Sequence, residues 1–155
     1  MKGNLNIIPF KTEHGLTMTR GIMNDPAVKI DKAWESHLHN LEQPGQAFTA
    51  VYNNQYIVSG GICHMWDKVY EGWVLASDKI WDHPRAAARA VKKGLEQLIA
   101  ENKVVRLQTA VKKDFELGHR FAKWLGLENE GTMKKYISNN DHIRYARIIE
   151  WDYQQ

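Results

Sequence analysis

The chain has 155 residues, of which 43% are hydrophobic and 25% charged. This length suits one domain with its own core, and the composition excludes disordered and collagen-like proteins. No apolar run approaches the roughly 18 residues of a membrane-spanning helix. The formal net charge of +3 is too small to indicate a nucleic-acid-binding protein. The single cysteine excludes an internal disulfide and fits a reducing compartment, and no signal peptide is expected.

The N-terminal part of the chain predicts an edge strand and a helix. Residues 5–10 alternate weakly, as a short strand does. Between residues 12 and 30 several residues would interrupt a long helix: Gly15, Gly21, Asn24, Asp25 and Pro26. Residues 31–41 predict a helix that Asp31 caps, with apolar residues at helical spacing: Ala33, Trp34, Leu38 and Leu41.

Two strands and a turn follow. Residues 47–65 predict a β-hairpin, because apolar residues alternate on both sides of Asn53 and Asn54. These two residues readily adopt the positive φ values of a tight turn. Residues 72–76 form an apolar run without clean alternation, which is expected of a central strand covered on both faces.

A helix is predicted over residues 82–102, with Asp82 as its cap and Pro84 in its first turn. Its buried face would hold Ala87, Val91, Gly94, Leu95, Leu98 and Ile99. Its exposed face would hold Arg85, Arg89, Lys92, Lys93 and Glu96.

The C-terminal third predicts a strand over residues 104–110, a helix over 116–125 and a hairpin over 131–151 with its turn at residues 138–141. Gly126 would end the helix, whose apolar face would hold Leu117, Phe121, Trp124 and Leu125. The order of these elements predicts a mixed α/β (α+β) protein with one domain over residues 1–155.

The strand at residues 72–76 and the helix after it form the unit best suited to chemistry. The free N–H groups of a helix N-terminus bind anions, and Arg85 and Arg89 would add positive charge for a phosphate or pyrophosphate. The alternative is that this basic turn is only a solvated face. Residues 85–90 contain no glycine, so their backbone lacks the freedom of a phosphate-cradling loop.

These elements, together with Phe-Ala-Lys-Trp-Leu-Gly-Leu at residues 121–127, resemble the GNAT superfamily of acetyl-CoA-dependent N-acetyltransferases from about residue 56 to 147. The resemblance implies a GNAT-like fold, with a mixed, mostly antiparallel central sheet and helices on both faces. It implies that the pantetheine arm of acetyl-CoA contacts the backbone of Val74, Leu75 and Ala76. It also implies that the pyrophosphate lies at Arg85, Ala86, Ala87, Ala88, Arg89 and Ala90.

Three positions depart from the pattern of that superfamily. Ala88 stands where its phosphate loop has the first glycine, and Ala122 stands where many members have a general-acid tyrosine. Phe115 replaces a frequent asparagine. Together these departures predict weaker acetyl transfer than in ordinary members.

A narrower resemblance is to the small GNAT-like internal virion proteins of short-tailed phages. It rests on Gly-Trp-Val-Leu-Ala-Ser-Asp-Lys-Ile-Trp at residues 72–81 and on residues 118–126. It implies a phage protein that acts in the virion or its assembly, with a degenerate acetyl-CoA cleft and reduced or lost catalysis. The implied partners are other virion proteins or a second copy of the chain, and the implied location is the host cytoplasm or the virion.

The alternative function is that of an active N-acetyltransferase. In that case Glu71, at the entry of the central strand, would deprotonate the amine acceptor, although it also reads as a surface charge. Either Tyr136 or Tyr145, on the final hairpin, would replace the missing acid, although strand tyrosines are common packing residues. Acetyl-CoA is then the cofactor, whereas a vestigial cleft would bind none.

Other side chains give weaker indications. The seven histidines lack metal-ligand spacing, since His37 and His39 would point apart on a helix, so no metal is expected. The basic run that begins at Arg85 lacks interleaved aromatic residues, so nucleic acid is not expected as a ligand. The predicted cleft is surrounded by three tryptophans that would shape an acceptor pocket or anchor an interface: Trp66, Trp73 and Trp81.

Overall fold

The structure is a computed structural model that describes residues 5–21 and 32–152. The described elements are, in chain order, β1 (Asn6–Pro9), α1 (Thr12–Gly21), α2 (Lys32–Leu41), β2 (Ala47–Tyr52), β3 (Gln55–Trp66), β4 (Val69–Ala76), a 3₁₀ helix (Asp78–Asp82), α3 (Pro84–Asn102), β5 (Arg106–Lys112), α4 (Glu116–Trp124), β6 (Glu128–Ile137) and β7 (Asn140–Ile148). Within these residues no helix has the length and apolar composition needed to cross a bilayer.

The strands form a sheet of order β1-β2-β3-β4-β5-β7-β6. The pairs β1–β2, β2–β3, β5–β7 and β6–β7 are antiparallel, whereas β4 and β5 are parallel. A parallel pair requires a crossover connection, and α3 lies in that connection. The predicted fold class, a mixed and mostly antiparallel sheet with helices, is therefore confirmed.

Contacts between Cα atoms divide the chain into two compact units. The first unit comprises Met1–Cys63 and Trp73–Glu101, and the second comprises His64–Gly72 and Asn102–Gln155. β3 and β4 each pass through both units.

Two consecutive residues of β2 show that helices cover both faces of the sheet in the first unit. Phe48 faces α3, where a Cβ added to Gly94 would overlap the Phe48 ring. Thr49 faces α1, and its Oγ1 lies 2.8 Å from Nδ1 of His14. Because neighbouring side chains of a strand point to opposite faces, α3 and α1 lie on opposite sides of β2.

The packing of α2 on α1 explains where the sequence-based prediction of the N-terminal helices was wrong. α1 continues through Gly15. Glycine at this position permits the close approach of α2, because a Cβ there would come within 2.8 Å of Leu38 Cδ2. Leu38 and Leu41 are buried as predicted, whereas Ala33 is exposed. The predicted cap, Asp31, lies outside the described residues.

The predicted hairpin turns are confirmed by their backbone angles. Asn53 and Asn54 have φ values of 50° and 60°. In the second hairpin Ser138 and Asn139 have φ values of 51° and 63°. Two successive positive φ values match the right-handed twist of the strands on either side.

α3 buries the predicted face and ends at the predicted residue, but it starts later than expected. Its buried residues are Ala87, Ala90, Val91, Gly94, Leu95, Leu98 and Ile99. Asp82 does not cap it, since Asp82 ends the 3₁₀ helix and His83 directly precedes Pro84. The 3₁₀ helix is capped by Ser77, whose hydroxyl accepts a hydrogen bond from the Lys79 amide.

α4 buries a different face from the one predicted. His119 and Ala122 are its buried residues, whereas Leu117 and Trp124 are exposed. Burial here follows the hydrogen bonds of His119 and the small size of Ala122 rather than the spacing of the large apolar residues. Gly126 ends the helix as predicted, with φ of +89°.

Candidate functional site

The last part of β4 extends beyond its ladder with β5. That ladder joins three residues of β4 to three of β5, namely Val69, Tyr70 and Glu71 to Arg106, Leu107 and Gln108. At the next position the Gly72 carbonyl accepts a hydrogen bond from the Thr109 side chain at 3.0 Å. The ladder has therefore ended where β4 continues to Ala76. The three residues assigned to pantetheine, Val74, Leu75 and Ala76, lie in this final stretch.

The first turn of α3 offers donors and positive charge to an anion. The first bond of the helix runs from the Ala87 amide to the His83 carbonyl at 2.9 Å. The amides of Arg85 and Ala86 precede that bond and have no acceptor within the helix, and Pro84 has no N–H group. This turn contains no acidic side chain.

Residues Arg85 to Ala90 are regular helix rather than a loop, and none of them has a positive φ. Arg85 and Arg89 are exposed, Ala86 and Ala88 are half-buried, and Ala87 and Ala90 are buried. With alanine at residue 88, this segment forms part of α3 and not a glycine-containing loop. The donor set fits a pyrophosphate through two amides and two guanidinium groups, without the backbone cradle that a glycine loop forms.

Tyr145 is a buried tyrosine whose hydroxyl hydrogen is already used. Its side chain is 2% exposed, and its oxygen lies 2.8 Å from Nδ1 of His119. Nε2 of the same ring lies 2.8 Å from the Lys113 carbonyl, which can only accept, so Nε2 carries the hydrogen. In an imidazole with its hydrogen on Nε2, Nδ1 is the acceptor, so the Tyr145 hydroxyl donates. Burial, with a smaller contribution from Glu116, raises the pKa of Tyr145 above its usual value.

Tyr136 and Glu71 are brought together by a residue that the sequence did not single out. Arg144 Nη2 donates to the Tyr136 hydroxyl oxygen at 3.2 Å. Nη1 of the same guanidinium donates to the two carboxylate oxygens of Glu71 at 3.3 and 3.4 Å. Two of the three predicted catalytic residues are thus linked through one cation, whereas Tyr145 is bonded to His119 instead.

The linked cluster continues along the strands of the second unit. Gln108 Nε2 donates to Glu71 at 3.1 Å, and Arg106 Nε donates to Gln108 at 2.8 Å. Arg106 also pairs with Glu130, and these hydrogen bonds lower the pKa of the Glu130 carboxyl. One signal in the sequence could have found part of this cluster, namely the polar side chains of Arg106 and Gln108 at alternate positions of β5.

The three tryptophans expected around the cleft have different surroundings. Trp66 and Trp81 are among the exposed apolar residues. The Trp73 ring packs against Phe10, 5.1 Å between centroids, and its indole nitrogen is buried. In the described part of the chain, no three His, Cys, Asp or Glu side chains are grouped as a metal site requires.

Solved structures similar to this one include acetyltransferases. Ard1 from Thermoplasma volcanium has a TM-score of 0.78 at 14% identity, covering 96% of this chain and 100% of that one. The ribosomal-protein-S5-alanine acetyltransferase from Vibrio fischeri has a TM-score of 0.73 at 17% identity, covering 94% and 93%.

RimL, a ribosomal L7/L12 α-N-protein acetyltransferase solved in complex with coenzyme A, has a TM-score of 0.71 at 16% identity, covering 94% of each chain. No family model matches the sequence, and no curated protein sequence matches it either. A similarity of this kind, at low identity over nearly the whole length, establishes the fold. The chain has the GNAT acetyltransferase fold.

Proposed function

We propose that the chain is an acetyl-CoA-dependent N-acetyltransferase that transfers an acetyl group to an amine of a protein or a small molecule. The main supporting observation is that β4 continues past its ladder with β5 and leads to a helix whose first turn is basic and free of acidic side chains. The RimL structure contains coenzyme A in a protein of the same fold, which supports the same cofactor here.

The proposed cofactor contacts follow from the chemistry of these two elements. The backbone of Val74–Ala76 would bond the amides of the pantetheine arm, as an added strand does. The amides of Arg85 and Ala86 and the guanidinium groups of Arg85 and Arg89 would neutralise the pyrophosphate. Acetyl-CoA supplies the acetyl thioester.

Tyr136 is the better candidate for the acid. Its side chain is 46% exposed, and its hydroxyl accepts from Arg144, so its own hydrogen is not used in that bond. The hydrogen of Tyr145 is instead used in the bond to His119. In the proposed step the amine nitrogen bonds to the thioester carbon and the carbon–sulfur bond breaks. Tyr136 gives its proton to the departing sulfur, and Glu71 accepts the proton lost by the amine.

The test is the amine-dependent release of coenzyme A thiol from acetyl-CoA, with peptides bearing free N-termini and with small amines. Thiol release should depend on the amine, and the product should be heavier by one acetyl group. Tyr136→Phe should lower kcat by about 100-fold, the usual contribution of a general acid. If no amine increases thiol release above the rate in its absence, the chain is not an acetyltransferase for those acceptor classes.

A second candidate function is that of an interaction protein in a phage virion, and it is favoured by exposed tryptophans. Trp66 is 57% exposed, Trp81 is 67% exposed and Trp124 is 46% exposed. Large aromatic side chains on a surface are typical interface anchors. This role, with reduced catalysis, remains a prediction, and it requires the chain to self-associate or to copurify with phage particles. A chain that stays monomeric and is absent from particles would contradict it.

A further inference from the structure

We propose that Arg144 is a positioning residue that joins Tyr136 and Glu71 into one acid–base unit. The proposal rests on the proposed function, because it assigns Arg144 a role in that same transfer. Arg144 would act through its two partners and would not itself exchange a proton, since a guanidinium stays protonated in proteins.

The strand pairing holds Arg144 between its partners. Arg144 lies opposite Ala110 of β5, and its neighbours on β7, Ile143 and Tyr145, are buried on the other face. Because side chains alternate along a strand, Arg144 lies on the opposite face from these neighbours, where it contacts Glu71 and Tyr136. The position of Arg144 is thus fixed by β7 rather than by a loop.

The geometry of the guanidinium sets what Tyr136 can do. Arginine has donors only, arranged as a planar fork, and here one arm of the fork contacts Glu71 while the other contacts Tyr136. The Tyr136 oxygen therefore accepts from Arg144 and keeps its hydrogen for the leaving sulfur. After that proton is transferred, the phenolate oxygen would lie 3.2 Å from a positive nitrogen. The guanidinium also lies 5.7 Å from the centre of the Tyr136 ring.

The first test is a double-mutant cycle on acetyl transfer. Arg144→Gln should lower kcat by about tenfold, less than the loss expected on removal of the acid itself, and leave the KM for acetyl-CoA unchanged. Arg144→Lys, which keeps a positive donor, should recover part of the loss. In the Tyr136→Phe background Arg144→Gln should have little further effect, because residues that act through each other are not additive. Arg147→Gln, on the same strand, is the matched control.

Additive losses in the cycle would overturn the role of Arg144 while leaving the proposed function standing. Thermal unfolding would show whether Arg144→Gln still folds. If it does not, the same cycle would be measured with Arg144→Lys instead. If the wild-type chain transfers acetyl to no amine, the proposed function fails, and the role of Arg144 in it fails too.

A second measurement does not depend on activity. In a chain labelled with ¹³C at the tyrosine ζ carbon, Glu71→Gln should move the Tyr136 resonance, because the guanidinium shared by the two residues would reorient. In the Arg144→Gln background the same substitution should leave that resonance in place. A Tyr136 resonance that responds to Glu71→Gln equally in both backgrounds would show that Arg144 does not link the two residues.

Discussion

The hydroxyl of Tyr145 donates a hydrogen bond to Nδ1 of His119 across the buried contact between β7 and α4. The other nitrogen of that ring donates to the Lys113 carbonyl, so both polar groups of His119 are satisfied inside the protein. Removal of one partner from such a chain leaves a buried acceptor without a donor, and this loss costs more than the bond itself contributes.

Tyr145→Phe should therefore lower the free energy of unfolding by about 1–2 kcal/mol, because His119 Nδ1 loses its donor. Tyr136→Phe should change it by less than about 0.5 kcal/mol, as is usual for exposed positions. Urea unfolding of the two variants and of the wild-type chain at pH 7.5 gives both values. Equal losses in the two variants would show that the Tyr145 hydroxyl is not held as described.

The stability of the chain should fall in mild acid because of His14. Its Nδ1 accepts from the Lys11 amide at 3.1 Å and lies 2.8 Å from Thr49 Oγ1, so protonation there would remove the acceptor that the Lys11 amide uses. Burial lowers the pKa of His14 below 6.5, although Glu13 and Glu42 oppose the shift and Lys11 adds to it.

The direction of this change in stability follows from proton binding at His14. Between pH 6.5 and the lower folded-state pKa, the unfolded chain binds more protons at this histidine than the folded chain does. The contribution of His14 is fully present above pH 6.5 and decreases as the pH falls, by at most about 1.4 kcal/mol per pH unit. Urea unfolding at several pH values should show this slope in the wild-type chain and a smaller slope in His14→Gln. The same slope in both would exclude His14 as its source.

Gly94 should be intolerant of even one methyl group. In an exposed helix interior, replacement of Gly by Ala stabilises by about 1 kcal/mol. Here the added Cβ would overlap the Phe48 ring, so we expect Gly94→Ala to destabilise by about 1–3 kcal/mol, as overpacking does. Lys93→Ala, at an exposed position of the same helix, is the control and should change little. A more stable Gly94→Ala chain would mean that Phe48 moves away without cost.

Local patterns were sufficient to predict most of the fold. The buried face of α3 follows from its 3.6-residue period, and both hairpin turns follow from residues that tolerate positive φ. The same period predicted the wrong buried face for α4, because the polar ring of His119 is buried there and Trp124 is exposed. Spacing along the chain does not show which face of a short helix the rest of the protein covers.

The candidate site was only partly predictable. The basic start of α3 was visible because its residues are neighbours in sequence. The link from Glu71 to Arg144 was not, because 73 positions separate them and only the pairing of β4, β5 and β7 brings them together. Assignment of the two tyrosines also required the structure, since only their partners show which hydroxyl hydrogen is already used.

Calorimetric titration of the purified chain with acetyl-CoA tests the proposed function most directly. We expect binding in the micromolar range, about −8 kcal/mol, at one site per chain. Arg85→Glu should abolish the binding, because it reverses a charge at the proposed pyrophosphate position. Lys93→Glu, the same change two turns further along α3, should leave most of it. Absence of heat and of thermal stabilisation at millimolar acetyl-CoA would contradict the proposal and leave the fold without its cofactor.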